Sequence, residues 1–308
     1  MKWWKLSLIF FVSLIFSSFA DQKENIIKVK VALKQLIKDN SHLDSGDIGF
    51  ARVSVTSDGL RLSLDSSLQN LTNIKALKGL PINDLNMNYS KVSDISPLKG
   101  MPLKKLNLKN SAVTDLSPLK GMGLIYLDLR STKVVDISPL KDLKLTFLDL
   151  YATEVVDIKP LIGMPLTHLN LFGLKKLKDI KVLKGMKLEF LDITVTSVTD
   201  LSPIRGMPLK KLILNNTRIK DISPVKGMKL ELFYINSTRV QDISVLKGMP
   251  IKNLQLSSSV RDLSALKGMP LERLYKRGKL KGVDFLKSVK TLKVINFTPV
   301  DKFWAEYK

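Results

Sequence analysis

Apolar residues recur along this chain in one arrangement, repeated end to end. The first full copy runs Asp94-Ile95-Ser96-Pro97-Leu98-Lys99-Gly100-Met101. Leucines follow at 103, 106 and 108, then Ser111 and Val113. Versions begin again at Asp115, Asp136, Asp157, Asp179, Asp200, Asp221, Asp242 and Asp262, with steps of 21, 21, 21, 22, 21, 21, 21 and 20 residues. A fixed period of that length predicts a solenoid, in which each unit buries its apolar side only against its neighbours. Leu103-x-x-Leu106-x-Leu108 has the spacing of a short strand, with the last two leucines on one face. Ser96 and Pro97 read as an N-cap and first helical position, and Gly100 as the end of the turn. So few residues lie between them that a 3₁₀ turn is expected rather than an α-helix.

The pattern changes at both ends. Ile26, Ile27, Val29, Leu33, Leu36 and Ile37 recur at near-helical spacing, which predicts an amphipathic cap helix from Glu24 to about Asp39. The segments 51–55 and 60–64 flank Ser57-Asp58-Gly59, a hairpin signal. At the C-terminal end Phe297, Phe303, Trp304 and Tyr307 supply bulk for an aromatic lid. The expected organisation is a signal peptide over 1–20, an N-terminal cap over 21–59, repeats over 60–297 and a C-terminal cap over 298–308.

The LxxLxL strand and the DISPL phrase resemble the leucine-rich repeat family, and in particular the short bacterial internalin-type repeat. The opening segment 24–68 and the closing segment around 285–307 look like those of leucine-rich repeat modules of planctomycete-type bacteria. The resemblance implies an α/β solenoid of about ten repeats: curved, with a parallel concave β-sheet and a convex side of 3₁₀ turns and loops. Ser or Thr mostly stands where that family carries Asn or Cys. The column Ser90, Ser111, Thr132, Thr153, Thr196, Thr217 and Thr238 is expected to tie successive turns together. By the family reading these are buried structural hydroxyls, not nucleophiles.

On this frame the x positions of the strands face outward. The central repeats place Tyr126, Phe147, His168 and Phe190 in one column and Asp128, Asp149, Asn170 and Asp192 in the next, with Tyr151 and Phe172 beyond. Core packing does not require aromatics there, so these ten residues form the candidate ligand-binding site. Rings are expected to anchor a protein or peptide, and carboxylates to attract a cationic group, as on a basic peptide or an amine-bearing glycan. The competing reading is that aromatics simply suit strands, or that a terminal segment folds over them. The 22-residue unit around Phe172 to Asp179 carries one extra residue, expected either to bulge toward this patch or to relieve packing.

Charge adds a second candidate partner. With 50 basic and 28 acidic residues the formal net charge is +22, which favours anionic surfaces and polymers. Lys78, Lys99, Lys120, Lys141, Lys184, Arg205, Lys226, Lys247 and Lys267 share one repeat position and are expected to form a row. The Asp94 to Asp262 ladder runs beside it, capping local amides and offsetting the lysines. Lys2 and Lys5, the apolar run 6–16 and the small-x-small site Ser18, Phe19, Ala20 read as a secretory signal peptide, so periplasmic, surface or secreted placement is expected. No cysteine is present, which excludes disulfides and thiol chemistry.

Neither histidine sits in a catalytic motif. His42 precedes the repeats, and His168 has no serine at the neighbouring outward positions. Asp128 and Asp149 fall at the spacing of a glycosidase carboxylate pair, but any strand ladder gives that spacing, and an open face does not exclude water. No phosphate loop, metal cluster, dinucleotide fingerprint or kinase phrase occurs. A non-catalytic binding module without cofactor or specific nucleic-acid partner is therefore expected.

Overall fold

The computed structural model describes residues 3–43, 51–64, 68–278 and 282–307. The chain forms two compact units, Met1–Leu143 and Lys144–Lys308.

In the first unit, helix α1 (Trp3–Asp39) continues without a break through both the expected leader and the expected cap helix. Among its described side chains Val29, Ala32, Leu33 and Leu36 are buried. Strands β1 (Arg52–Thr56) and β2 (Gly59–Ser63) form the antiparallel hairpin, with Thr56 opposite Gly59. Gly59 lies at φ +118, where an added Cβ would collide with the Asn83 side chain. Parallel pairing then begins: β2 to β3 (Ile82–Asn86), β3 to β4 (Lys105–Asn107), β4 to β5 (Tyr126–Asp128).

The second unit repeats the same step. Strands β6 (Phe147–Asp149), β7 (His168–Asn170), β8 (Phe190–Asp192), β9 (Lys211–Ile213), β10 (Leu232–Tyr234), β11 (Asn253–Leu256) and β12 (Arg273–Lys276) are parallel neighbours in chain order. Strand β13 (Val294–Ile295) pairs parallel to β12 and antiparallel to β14 (Thr298–Pro299), and helix α2 (Val300–Glu306) follows. The repeat strands β3 to β12 thus number ten among the described residues.

Each repeat buries its aliphatic positions almost completely. Leu103, Leu106, Leu108, Val113, Leu116 and Leu119 are each at most 1% exposed. At about 1.5–3 kcal/mol for each buried side chain of this kind, these columns drive the coiling. Between strands a 3₁₀ turn such as Ser96–Leu98 packs its own apolar residue inward.

Three expectations change in detail. Ser96 is the first turn residue rather than the cap, and Pro97 is the second. The capping role falls to the aspartate before them: Asp94 Oδ1 accepts the Ser96 N–H at 2.8 Å, and Asp115, Asp136 and Asp200 do the same for their serines. The hydroxyl column is buried, but its threonines brace their own bend, and the Ser90 and Ser111 hydroxyls make no hydrogen bond among the described residues. Thr132 Oγ1 donates to Leu129 O at 2.7 Å and Thr217 Oγ1 to Leu214 O at 2.7 Å. The reason is reach, since the carbonyl three residues back lies closer than the next turn. Ser257, which donates to Thr238 O, does cross between turns. At the C-terminal end Phe303, Trp304 and Tyr307 pack on one another, whereas Phe297 is 81% exposed and is no part of a lid. No helix among the described residues is long and apolar enough to cross a membrane.

Candidate ligand-binding face

The outward strand positions of β6, β7 and β8 carry an aromatic stack. Parallel pairing puts Phe147 opposite His168 and His168 opposite Phe190. Neighbouring strands lie about 4.8 Å apart, close to ring-stacking distance. The Phe147 and His168 rings stand 4.2 Å apart at 13°, and the His168 and Phe190 rings 4.0 Å apart at 4°. Two columns over, Tyr151 and Phe172 stack at 4.4 Å and 16°. Phe147, His168, Phe172 and Phe190 are half-buried and Tyr151 is exposed, so part of each ring's surface reaches solvent. Tyr126, also half-buried, and Asp128 lie in the first unit on β5.

The acidic column has a different role from the one its outward position predicts. Asp128 is 0% exposed, Asp149 4% and Asp192 9%. Each spends an oxygen on the main-chain N–H two residues ahead: Arg130 at 3.0 Å, Tyr151 at 2.9 Å and Thr194 at 2.8 Å. Asn86, Asn107 and Asn170 make the same bond to Asn88, Lys109 and Phe172. The chain leaves each strand through a left-handed residue, and short Asx side chains stabilise that bend from within. Ser131 is at φ +54, Ala152 at +53 and Val195 at +55. Interchange of Asn and Asp down one column was the sign that an acceptor oxygen, and not a charge, is what the position needs.

The three carboxylates differ electrostatically. Asp128 is neutralised by Arg130, whose Nε lies 3.0 Å from both carboxylate oxygens. Asp149 accepts a further hydrogen bond from Asn170 Nδ2 at 3.3 Å. Asp192 lies between Asn170 on β7 and Ile213 on β9 and makes no ion pair among the described residues. Burial raises its pKa above the ordinary carboxylate range, against the lowering pull of the Thr194 hydroxyl and N–H. The face is therefore aromatic with a sealed polar seam, and less of a cation trap than its sequence suggests.

The extra residue of the long repeat does not enter the face. The registers His168 to Phe190 and Asn170 to Asp192 are unbroken. The insertion falls at 175–176, where Lys175 N–H bonds Gly173 O and Leu177 N–H bonds Leu174 O. Leu174 occupies the place of the usual threonine and is 1% exposed.

Sequence reasoning missed Asn40. Only 1% exposed, it ties α1 to the first repeat through every polar atom of its side chain. Its Nδ2 donates to Leu36 O at 2.7 Å and Asn73 O at 2.8 Å, and its Oδ1 accepts from Thr72 N at 3.1 Å and Asn73 N at 2.9 Å. An isolated Asn beyond a helix carries no periodic signal that marks it.

These features define a leucine-rich repeat solenoid. The sequence matches no protein-family model and no curated protein. Among solved structures the fold is similar to that of an internalin, inlF, from Listeria monocytogenes, at 21% identity over 77% of this chain and 86% of that one, with a TM-score of 0.59. It is also similar to the functional domain of InlJ from the same organism, which includes a cysteine ladder, at 20% identity and a TM-score of 0.53. That match covers 76% of this chain and 52% of the InlJ domain, so this chain accounts for about half of it. At these identities the likeness establishes the fold.

Proposed function

We propose that this protein is a non-catalytic binding module that recognises a protein or peptide through the outward face of β6 to β8, the face the repeat pattern predicts to be concave. The observation that carries this reading is the pair of stacked aromatic columns at positions the core does not use. Such rings bring large contact area at low conformational cost, as interface anchors do. Phe147, His168, Phe190, Tyr151 and Phe172 make the contact. Tyr126 extends the same strand position in the first unit. Asp128, Asp149, Asn170 and Asp192 contribute by holding the strand ends in shape. The partner is met outside the cytoplasm after cleavage following Ala20; the apolar run 6–16 and the site at 18–20 support that reading.

A pull-down from the envelope fraction of the source organism, at low and high salt, tests this. A discrete protein is expected on the wild-type chain at both salt concentrations and not on Phe147→Ala/Phe190→Ala. Retention by the double variant would sink the reading.

One observation favours a second partner. The lysines of the repeat row form no ion pairs with the adjacent aspartates among the described residues, because those carboxylates are turned to main-chain amides. In the second unit Lys184, Arg205, Lys226, Lys247 and Lys267 thus remain available to an anionic envelope polymer. That binding is expected to fall steeply with salt and to ignore the aromatic substitutions.

A further inference from the structure

Every repeat strand but one ends its LxL motif on a buried apolar residue: Met87, Leu108, Leu129, Leu150, Leu171, Ile193, Leu214, Ile235 and Leu256. The exception is Lys276 on β12. It is 7% exposed, as deep as a core residue, and no carboxylate pairs with it among the described residues. Among the described residues its ammonium is bonded to the Arg277 carbonyl, at 3.5 Å. Burial and the nearby Arg261 cation lower its pKa from the usual lysine range. A buried lysine without a counter-ion is costly, and nothing in the repeat geometry asks for one here.

Lys276 lines a cavity of about 330 Å³, the lower end of the size range of small-ligand sites. Asn236, whose side-chain amide has both an acceptor and a donor, also lines it; the remaining polar side chains present donors, and Leu256, Tyr275 and Phe297 are apolar. Asn296 Oδ1 accepts the Lys276 main-chain N–H at 2.7 Å, which leaves Asn296 Nδ2 as the group it can offer. Asn215 Oδ1 accepts the Asn236 N–H, so Asn215 Nδ2 is the donor to Gln255 Oε1 at 3.2 Å, and Gln255 Nε2 is left over. The exposed Arg277 guanidinium adds a further set of donors. Tyr275 and Phe297 form the apolar wall, with ring centroids 4.6 Å apart, and Phe297 is held outward at φ +69 with 81% of its surface exposed.

We propose that this cavity is a binding site for an organic carboxylate bearing an apolar or aromatic group. The acid sits between Lys276, Arg277 and the amides of Asn296 and Gln255, and the apolar group rests on Tyr275 and Phe297. The Lys276 ammonium is buried with no carboxylate beside it among the described residues, so an anion supplies the counter-charge that a neutral or cationic ligand does not. The site is separate from the aromatic columns of β6 to β8 and does not depend on the function assigned to them.

The probe is N-acetylphenylalanine, with N-acetylphenylalaninamide as the uncharged control and inorganic phosphate as the anion without an apolar group. Binding to the full chain is followed by NMR through the side-chain amides of Asn296 and Gln255. The acid is expected to bind saturably, at least about tenfold more tightly than the amide, and more tightly than phosphate. Lys276→Leu restores the apolar residue of the other repeats; it is expected to melt no lower than wild type and to lose the acid. Phe297→Ala changes an exposed side chain, cannot disturb the core, and is expected to weaken the acid but not phosphate. Equal binding of acid and amide, or full binding by Lys276→Leu, would overturn the proposal. So would phosphate binding as tightly as the acid with no response to Phe297→Ala.

Discussion

Asp192 and its relatives in the second strand column show how one side chain can look like ligand chemistry and be architecture. Its oxygen holds the Thr194 N–H, and an asparagine at the equivalent place, Asn170, does so for Phe172. Asp192→Asn therefore keeps the bend and removes a buried charge. Because the folded pKa of Asp192 is raised, its burial cost is absent in acid, where it is protonated in both states, and develops as pH rises toward the folded value. The variant is expected to be more stable than wild type at neutral pH, by about 1 kcal/mol, and equal to it in acid, as read from denaturant melts at both pH values. Val195 is the clearest strained residue: a β-branched side chain at φ +55, where Asn110 and Asn216 stand in other repeats. Val195→Asn should raise stability by about 1 kcal/mol, seen as a higher Tm. Asn40→Ala acts in the opposite sense. It leaves the Thr72 and Asn73 N–H groups and two carbonyls without their partner, and is expected to cost about 3 kcal/mol, with amide exchange rising first at the junction of α1 and the first repeat.

At the scale of elements, the 3₁₀ turns depend on their aspartate caps. The carboxylates of Asp115, Asp136, Asp200, Asp242 and Asp262 are lowered from the ordinary range by the backbone N–H and hydroxyl of the serine two residues on. A lowered folded pKa means that the stabilisation is fully present above the unfolded value and is lost as pH falls through the folded one. Thermal melts are expected to move down together as pH drops below the carboxylate range, and replacement of two of these aspartates by alanine should lower Tm at pH 7 and flatten that acid dependence. Strand, turn and period were legible because LxxLxL and DISPL each repeat many times. Which atom caps the turn was less so: Ser96 and Asp94 both carry capping oxygens, and only the fold shows that Asp94 reaches the amide. The threonine column was read correctly as buried and wrongly as a tie between turns, because sequence gives depth but not the direction of a hydroxyl.

For the whole molecule, each repeat adds a strand, a turn and a share of core, and the individuality of the chain lies in where repeats depart from the average. The aromatic columns at 147, 168 and 190 and at 151 and 172 were visible as departures, since rings at outward positions break the pattern. Lys276 was visible in the same sense, as the one charged residue in an aliphatic column, but only its burial and missing counter-ion give it meaning. The burial of Asp128 and Asp149 was not legible, because strand alternation puts their column outward and only the fold shows the carboxylates turned back onto the main chain. Whether the stacked rings of the second unit meet a partner is decided by photo-cross-linking, with a benzophenone amino acid placed at position 172 or, as a control on the basic row, at position 226. After exposure to the envelope fraction at high salt, a discrete adduct is expected from position 172 and none from position 226. Adducts from 226 alone would contradict such a contact and place recognition on the lysine row.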